Sequence, residues 1–375
     1  MNNLIYFPLN WLSRYDPDLC SQSYVHNKWF NLYSGNMWAS MWPGHVVSRS
    51  HALDTPWKLA PTICPIPDIG SSREEPFDLV LDGITAQLCD YIRTSGRIPH
   101  VLWSGGIDST SVLISLLKVA TPDILKKLVV VYNEKSVIEN PFFYYHFIKD
   151  KITEINFDVD TFDVTVDNYD KILIVDGECG NQMMGSPHIN YLLHNNRTDL
   201  LAQPWKSSNY RDIVPYATDF MIELLHESVE HSPVPINTVA DFLWWIAFNF
   251  KVDNPLLTKL PWWTRSLSQQ QSKLFWNTSL YRPYSQPEMQ IWSMITKDER
   301  LVNRIPKYAI KKYIYDFDCN DIWFAHKKEH PSSAHLNDDT AFANLPIIAL
   351  DQDWNKYYIS DPATRAELGR ILQRT

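Results

Sequence analysis

Two glycine-bearing stretches hold the residues best suited to chemistry. The first reads Leu102-Trp103-Ser104-Gly105-Gly106-Ile107-Asp108-Ser109. It follows the apolar run His100–Trp103 and precedes Val112, Leu113, Leu116 and Leu117, which recur at helical spacing. A strand, a glycine turn and a helix start are the parts of an anion cradle. Glycine lets backbone N–H groups approach a ligand closely. The helix start adds unpaired N–H groups and the positive end of the dipole. Ser104 and Ser109 supply hydroxyl donors, so Ser104, Gly105, Gly106 and Ser109 are read as a pyrophosphate cradle. A carboxylate repels phosphate, so Asp108 is read as a ligand of Mg²⁺ shared with the phosphates. A lone glycine pair would indicate only a tight turn, whereas the full S-G-G-x-D-S string between strand and helix is far more specific.

The second stretch is Val175-Asp176-Gly177-Glu178-Cys179-Gly180-Asn181-Gln182-Met183-Met184-Gly185. Its carboxylates and amides follow Lys171–Val175, a strong strand candidate. Read alone it is a polar loop at a strand end.

The elements that must position these residues follow from periodicity. Phe77, Leu81, Ile84, Leu88, Tyr91 and Ile92 mark a helix between Pro76 and Gly96. Leu128–Tyr132 is a strand rich in β-branched residues, Phe142–Ile152 a helix, and Asp158–Val164 a weaker strand. Strands alternating with helices predict an α/β fold, a parallel sheet with helices on both faces. Ligands of such sheets sit beyond the carboxyl ends of the strands, where both glycine loops fall. From residue 205 the pattern is mainly helical. Thr238-Val239-Ala240-Asp241 has the form of a capping box before the apolar run Phe242–Phe248, and Glu288–Met294 and Lys307–Ile314 are further helices. The predicted division is an irregular N-terminal extension over 1–75, a nucleotide-binding α/β domain over 76–204, and a mainly helical part over 205–375.

The first string resembles the pyrophosphate loop of the PP-loop ATP pyrophosphatases, which cleave ATP between the α- and β-phosphates and leave AMP on a substrate. The second resembles the acidic active-site loop of the asparagine synthetase branch, roughly S-G-[ED]-G-x-D-E-x-x-G-G, matched at Gly177, Glu178 and Gly185. Tyr281-Arg282-Pro283-Tyr284 resembles the family's R-x-P-F segment with one residue missing. Ile305-Pro306-Lys307-Tyr308 resembles its lysine stretch. The resemblance spans about residues 76–330 and implies an ATP- and Mg²⁺-dependent ligase that adenylates a carboxylate and passes the acyl group to an amine or ammonia. It implies Glu178 as the base that deprotonates the amine and Lys307 as the cation that stabilises the transition states. Asn181 falls on the metal-binding aspartate and Gln182 on the next acid, while Asp176 stands where the family has serine and is taken with Gly177 as nucleotide-binding. The adenine is expected against the backbone near Trp103 and Val131. Residues 1–75 do not resemble the family's glutaminase domain. The nitrogen therefore comes from free ammonia, a separate glutaminase or a substrate amine; a homo-oligomer stays open.

Composition bounds the rest. The chain has 375 residues, 45% of them hydrophobic, and a formal charge of -9, enough for a full core and poorly suited to gripping nucleic acid over a wide surface. The five cysteines include no CxxC pair, which argues against a structural zinc site or a disulfide framework. The start of the chain lacks the form of a signal peptide, and no apolar run is long enough to span a bilayer, so a cytoplasmic protein without a membrane partner is expected. Two other readings of the fold are adenylation of a nucleobase or tRNA, and nucleotide binding without catalysis. The lack of paired cysteines and the acidic charge oppose the former; Asn181 and Gln182 favour the latter. A hydrolase built on Cys179 with His188 lacks a nucleophile-elbow pattern.

Overall fold

The computed structural model describes residues 4–6, 48–53, 64–157, 167–185, 189–190, 192–193, 195–213, 219–253, 259–260, 263–302, 305–325, 347–358 and 360–373. The chain forms two compact units, each built from separated segments. One takes residues 67–190 and 266–334, the other 1–66, 191–265 and 335–375. The sequence reading divides the chain into contiguous stretches, whereas the packed units interleave.

The first unit is an α/β fold around an all-parallel five-stranded sheet. Its strands are β1 (Ile98–Leu102), β2 (Val129–Tyr132), β3 (Thr153–Asn156), β4 (Ile172–Asp176) and β5 (Leu280–Tyr281), in the spatial order β3-β2-β1-β4-β5. β1 lies between β2 and β4, with Leu102 opposite Val131 on one side and Asp176 on the other. All of β4 and all of β1 except Ile98 are buried, as expected of strands covered on both faces. β3 at the edge is only partly covered. Because the chain leaves β1 toward β2 and later returns to the far side of β1 as β4, the order reverses between these two strands. That reversal opens a crevice at their carboxyl ends.

Helix α1 (Phe77–Ser95) buries Leu81, Ile84, Leu88 and Ile92, the period read from the sequence. It stops at Gly96, whose φ of 69° is left-handed and whose N–H reaches Ile92 O, the conformation glycine adopts without steric cost. Helix α2 (Ile107–Val119) follows the first glycine loop and buries Val112, Leu113, Ile114 and Leu116. Burying each such side chain fully stabilises the fold by roughly 1.5–3 kcal/mol. Helices α3 (Gly180–Met184), α4 (Pro287–Ile295) and α5 (Tyr308–Asp318) complete the site's framework.

Two expectations are corrected. Phe142–Ile152 is not one α-helix: a short turn at Pro141–Phe143 leads into a π-helix over Tyr144–Ile148, and β3 begins at Thr153. The third strand is therefore Thr153–Asn156, and the stretch expected as a strand, 158–164, lies outside the described residues. The part beyond residue 205 is mainly helical but also supplies β5 to the sheet.

In the second unit, Asp219–Glu230 and Val239–Phe250 are helices. The capping box expected at Thr238 forms: its side chain accepts the Asp241 N–H, and Asp241 accepts the Thr238 N–H. Trp245 donates to Ser228 O at 3.2 Å across the helix pair. Ile347–Asp351 pairs antiparallel with both Leu4–Tyr6 and Lys356–Tyr358. No helix among the described residues is long and apolar enough to cross a membrane.

Candidate active site

The site lies at the carboxyl ends of β1 and β4. From β1 the chain turns through Trp103–Gly106 into α2. Gly105 has φ 75°, and a Cβ there would come within 2.2 Å of Ser136 O, so neither the backbone conformation nor the space admits a side chain. No side chain caps α2. The loop is braced by its own serines: Ser109 Oγ accepts the Ser104 N–H at 3.1 Å, contacts Ser104 Oγ at 3.1 Å and donates to Gly106 O at 3.1 Å. Ser109 is buried. Its hydroxyl therefore shapes the loop, while Ser104, partly exposed, is the serine at the surface of the cradle.

The second glycine loop is pressed against the first. A Cβ on Gly177 would lie 2.5 Å from Ser109 N, and one on Gly180 would lie 2.5 Å from Asp108 Oδ1. Glycine at both positions lets the backbone after β4 lie directly on the start of α2. Asp176, buried at the end of β4, accepts the Glu178 N–H through Oδ1 at 3.1 Å and so shapes the turn that carries Glu178. Glu178 is partly exposed and Asn181 exposed, whereas Gln182 is buried. Cys179 takes a left-handed φ of 75° and is buried, with Ser285 Oγ 3.4 Å from its sulfur.

Lys307 closes the site from α5. It is the N-cap of that helix with a left-handed φ of 57°, a strained conformation for a side chain with a Cβ. Its Nζ donates to both carboxylate oxygens of Asp108, at 2.8 and 2.6 Å, across 199 residues of sequence. Both side chains are largely buried, 10% and 20% exposed. A charge pair with this little solvent interacts more strongly than a surface pair.

The structure thus brings together Ser104, Gly105, Gly106, Asp108, Ser109, Gly177 and Lys307, with Asp176 and Glu178 in the adjoining loop. Trp103 and Val131 differ. Both side chains are fully buried, the Trp103 indole donates to Thr110 Oγ1 at 3.0 Å, and the Trp103 N–H donates to Val131 O at 2.8 Å. Their side chains belong to the core, and this backbone bond joins the two to each other.

Two residues without a role in the sequence reading, Lys311 and Tyr284, stand near this cluster, and a third, Arg282, lies just past the edge strand β5. Lys311, one turn along α5, is partly buried, and burial followed by the Lys307 charge pushes its ammonium below the usual lysine value. Tyr284, fully buried, lies 2.7 Å from Ser111 Oγ; burial and then the Asp108 charge hold its phenol well above the ordinary range, so it stays protonated. Arg282 follows directly on β5, its guanidinium 4.8 Å over the Trp276 ring, and its buried Nη1 has no hydrogen-bond partner among the described residues. The Arg-Pro-Tyr string was the signal for the last two. Lys312, by contrast, is exposed and paired with Asp316, and His188 lies outside the described residues.

The carboxylate of Asp108 lies in a cradle that a Cβ at Gly180 would fill. Hard anionic oxygens in such a cradle are the donors Mg²⁺ takes when it shares phosphates with a protein. Asn181 offers an amide oxygen without charge. The four described cysteines are free thiols. Comparison with protein-family models, curated proteins and solved structures gives no match. The α/β fold and the site at its reversal point therefore stand on the chain's own geometry.

Proposed function

We propose that the chain is an ATP-dependent carbon–nitrogen ligase that adenylates a carboxylate and transfers the acyl group to an amine or ammonia, releasing AMP and pyrophosphate. The observation that carries this reading is the Lys307–Asp108 pair beside the glycine loop of β1. The glycine turn and the uncapped start of α2 favour an anion, and Lys307, held beside them by Asp108, is a cation that can turn to it once Asp108 takes a metal.

In this reading the backbone of Ser104–Gly106 and the first turn of α2 hold the β- and γ-phosphates, which leave together. The substrate carboxylate attacks the α-phosphorus, and Lys307 shifts toward the oxygens on which negative charge grows. Lys311 adds positive charge beside Lys307. Glu178 takes a proton from the amine as it attacks the acyl carbon, and the amide and AMP depart. Mg²⁺, held by Asp108 with Asn181 beside it, would neutralise phosphate charge when bound. Rigid placement of both substrates against two interlocked loops replaces a chance encounter with positioned chemistry.

A second reading, nucleotide binding without turnover, is favoured by one observation: amides stand at Asn181 and Gln182, where the resemblance implies acids. Substrate-dependent exchange of radiolabelled pyrophosphate into ATP, screened over amino acids and other carboxylates, tests the ligase. Exchange with at least one acid, lost in Asp108→Ala and Lys307→Ala, is expected. Exchange that survives Asp108→Ala overturns the site, and ATP binding with no AMP or pyrophosphate release favours the second reading.

A further inference from the structure

A second cluster of ligating side chains lies in the other unit, independent of the proposed ligase site. His51, Glu227 and His231 each present one ligating atom, and the three atoms lie within 4.8 Å of one another. They come from distant parts of the chain. Glu227 lies in the last turn of the helix Asp219–Glu230, and His231 follows its end. At a separation of four residues they share one helix face.

His51 is held from the opposite side by a segment with little freedom. Asn249 Oδ1 accepts the N–H groups of both Arg49 and Ser50, at 3.0 and 2.9 Å, and Asn249 Nδ2 donates to Ser48 Oγ at 3.1 Å. The Arg49 guanidinium donates to Phe248 O and to Cys64 O, each at 2.7 Å. Ser48 and Ser50 hydroxyls then stand 3.0 and 3.1 Å from His51 Nδ1. When Nδ1 carries the proton and donates to a serine, Nε2 presents a bare lone pair. A hydrogen bond to one ring nitrogen that fixes the tautomer is the usual second layer of support for a metal-bound imidazole.

The His51 side chain is 9% exposed, and its Nε2 is buried without a hydrogen-bond partner among the described residues. It points at Glu227 Oε1, 3.8 Å away, too far for a hydrogen bond. With Nδ1 protonated, a lone pair and a carboxylate oxygen face each other across this gap, which a cation would bridge. The His231 ring stacks on His51 with centroids 4.5 Å apart. Burial, and then the neighbouring His231, push the His51 imidazole below the usual histidine range.

We propose that His51 Nε2, Glu227 and His231 form a site for a divalent transition metal of the zinc type, with a fourth position open to water or a ligand. Nitrogen and carboxylate ligands at about 2.0–2.2 Å from zinc stand roughly 3.3 Å from one another in a tetrahedral site. The His51–Glu227 separation is 3.8 Å and the three atoms lie within 4.8 Å, so an ion draws Glu227 inward and turns the His231 ring out of its stack on His51. Glu227 and His231 are exposed, at the end of a helix where their side chains have room to move onto the ion. The widely spaced cysteines take no part. The metal would tie the Ser48–His51 segment to the helix end.

The test uses the full-length protein after removal of metals with a chelator. Zn²⁺ is titrated against a chromophoric competitor, and Co²⁺ absorption spectra are recorded in parallel. One equivalent of Zn²⁺ is expected, with affinity lowered at least about tenfold in His51→Ala, His231→Ala and Glu227→Gln. The Co²⁺ form should show ligand-field bands without the thiolate charge-transfer absorption of a cysteine site. His231→Ala, at an exposed position, keeps the test decisive even where His51→Ala fails to fold. The proposal is overturned by no zinc binding in the wild type, by affinity unchanged in His231→Ala and Glu227→Gln, or by a thiolate band.

Discussion

The contact between the two glycine loops yields a sharp test, because its cost can be read from distances. An added Cβ at Gly177 would lie 2.5 Å from Ser109 N, where ordinary contact begins at 3.4 Å. The opposing atoms are backbone: Ser109 N, Asp108 C and Ser109 Cα. No flexible side chain can swing aside, so Gly177→Ala must push the start of α2 away from the β4 loop by about 0.9 Å. Overpacking of this kind costs about 1–3 kcal/mol of stability. A displacement near 1 Å among positioned groups costs about 100-fold in rate. Gly177→Ala should therefore lower the denaturation midpoint modestly and pyrophosphate exchange about 100-fold, with circular dichroism and ATP-independent properties of the folded protein retained. The assay is exchange at fixed ATP beside urea unfolding. Exchange and stability both within twofold of wild type would refute the claim that the loops interlock at the reacting centre.

Other outcomes follow from single positions. Gly83 sits within α1 with nothing within 4 Å of an added Cβ, so Gly83→Ala should stabilise by about 0.5–1 kcal/mol in urea unfolding and leave exchange unchanged. Lys307→Ala leaves the largely buried Asp108 carboxylate without its ammonium; a loss of about 1–3 kcal/mol of stability is expected, with exchange reduced by at least about 100-fold. Lys251 in the second unit is 4% exposed, and burial lowers its ammonium to about 7. Its folded value lies below the unfolded one, so the unfolded chain binds more protons between about pH 7 and 10, and stability rises with pH across that window. Urea midpoints at pH 7 and 9 should show that rise in the wild type and a smaller one in Lys251→Met.

The sequence was most informative where local chemistry decides the outcome. The strand–glycine–helix order around Ser104–Ser109, the Gly96 stop of α1 and the Thr238 capping box each need only a few neighbouring residues, and each formed as read. What depends on distant pairing was not legible. β5 is only Leu280–Tyr281, too short to carry a period, and it is a strand because Ile174 and Val175 lie beside it. β3 is the polar string Thr153–Asn156, defined by its partner β2. The interleaved units follow from the same cause: hydrophobic spacing says that a helix buries one face but not against which core. At the site, Lys307 was singled out by its motif, yet its meeting with Asp108 is a fact of folding across 199 residues. The His51–Glu227–His231 cluster has no sequence signature, since 180 residues separate its first member from the last.

The claim on which the ligase reading rests is that the backbone from Ser104 to the start of α2 holds nucleotide phosphates. Titration of ATP with Mg²⁺ into the full-length protein in a calorimeter tests it most directly, with Gly105→Ala as the comparison. One equivalent of ATP bound by the wild type, and none by a folded Gly105→Ala, is the predicted result. No heat of binding in the wild type, or binding that Gly105→Ala leaves intact, would contradict it.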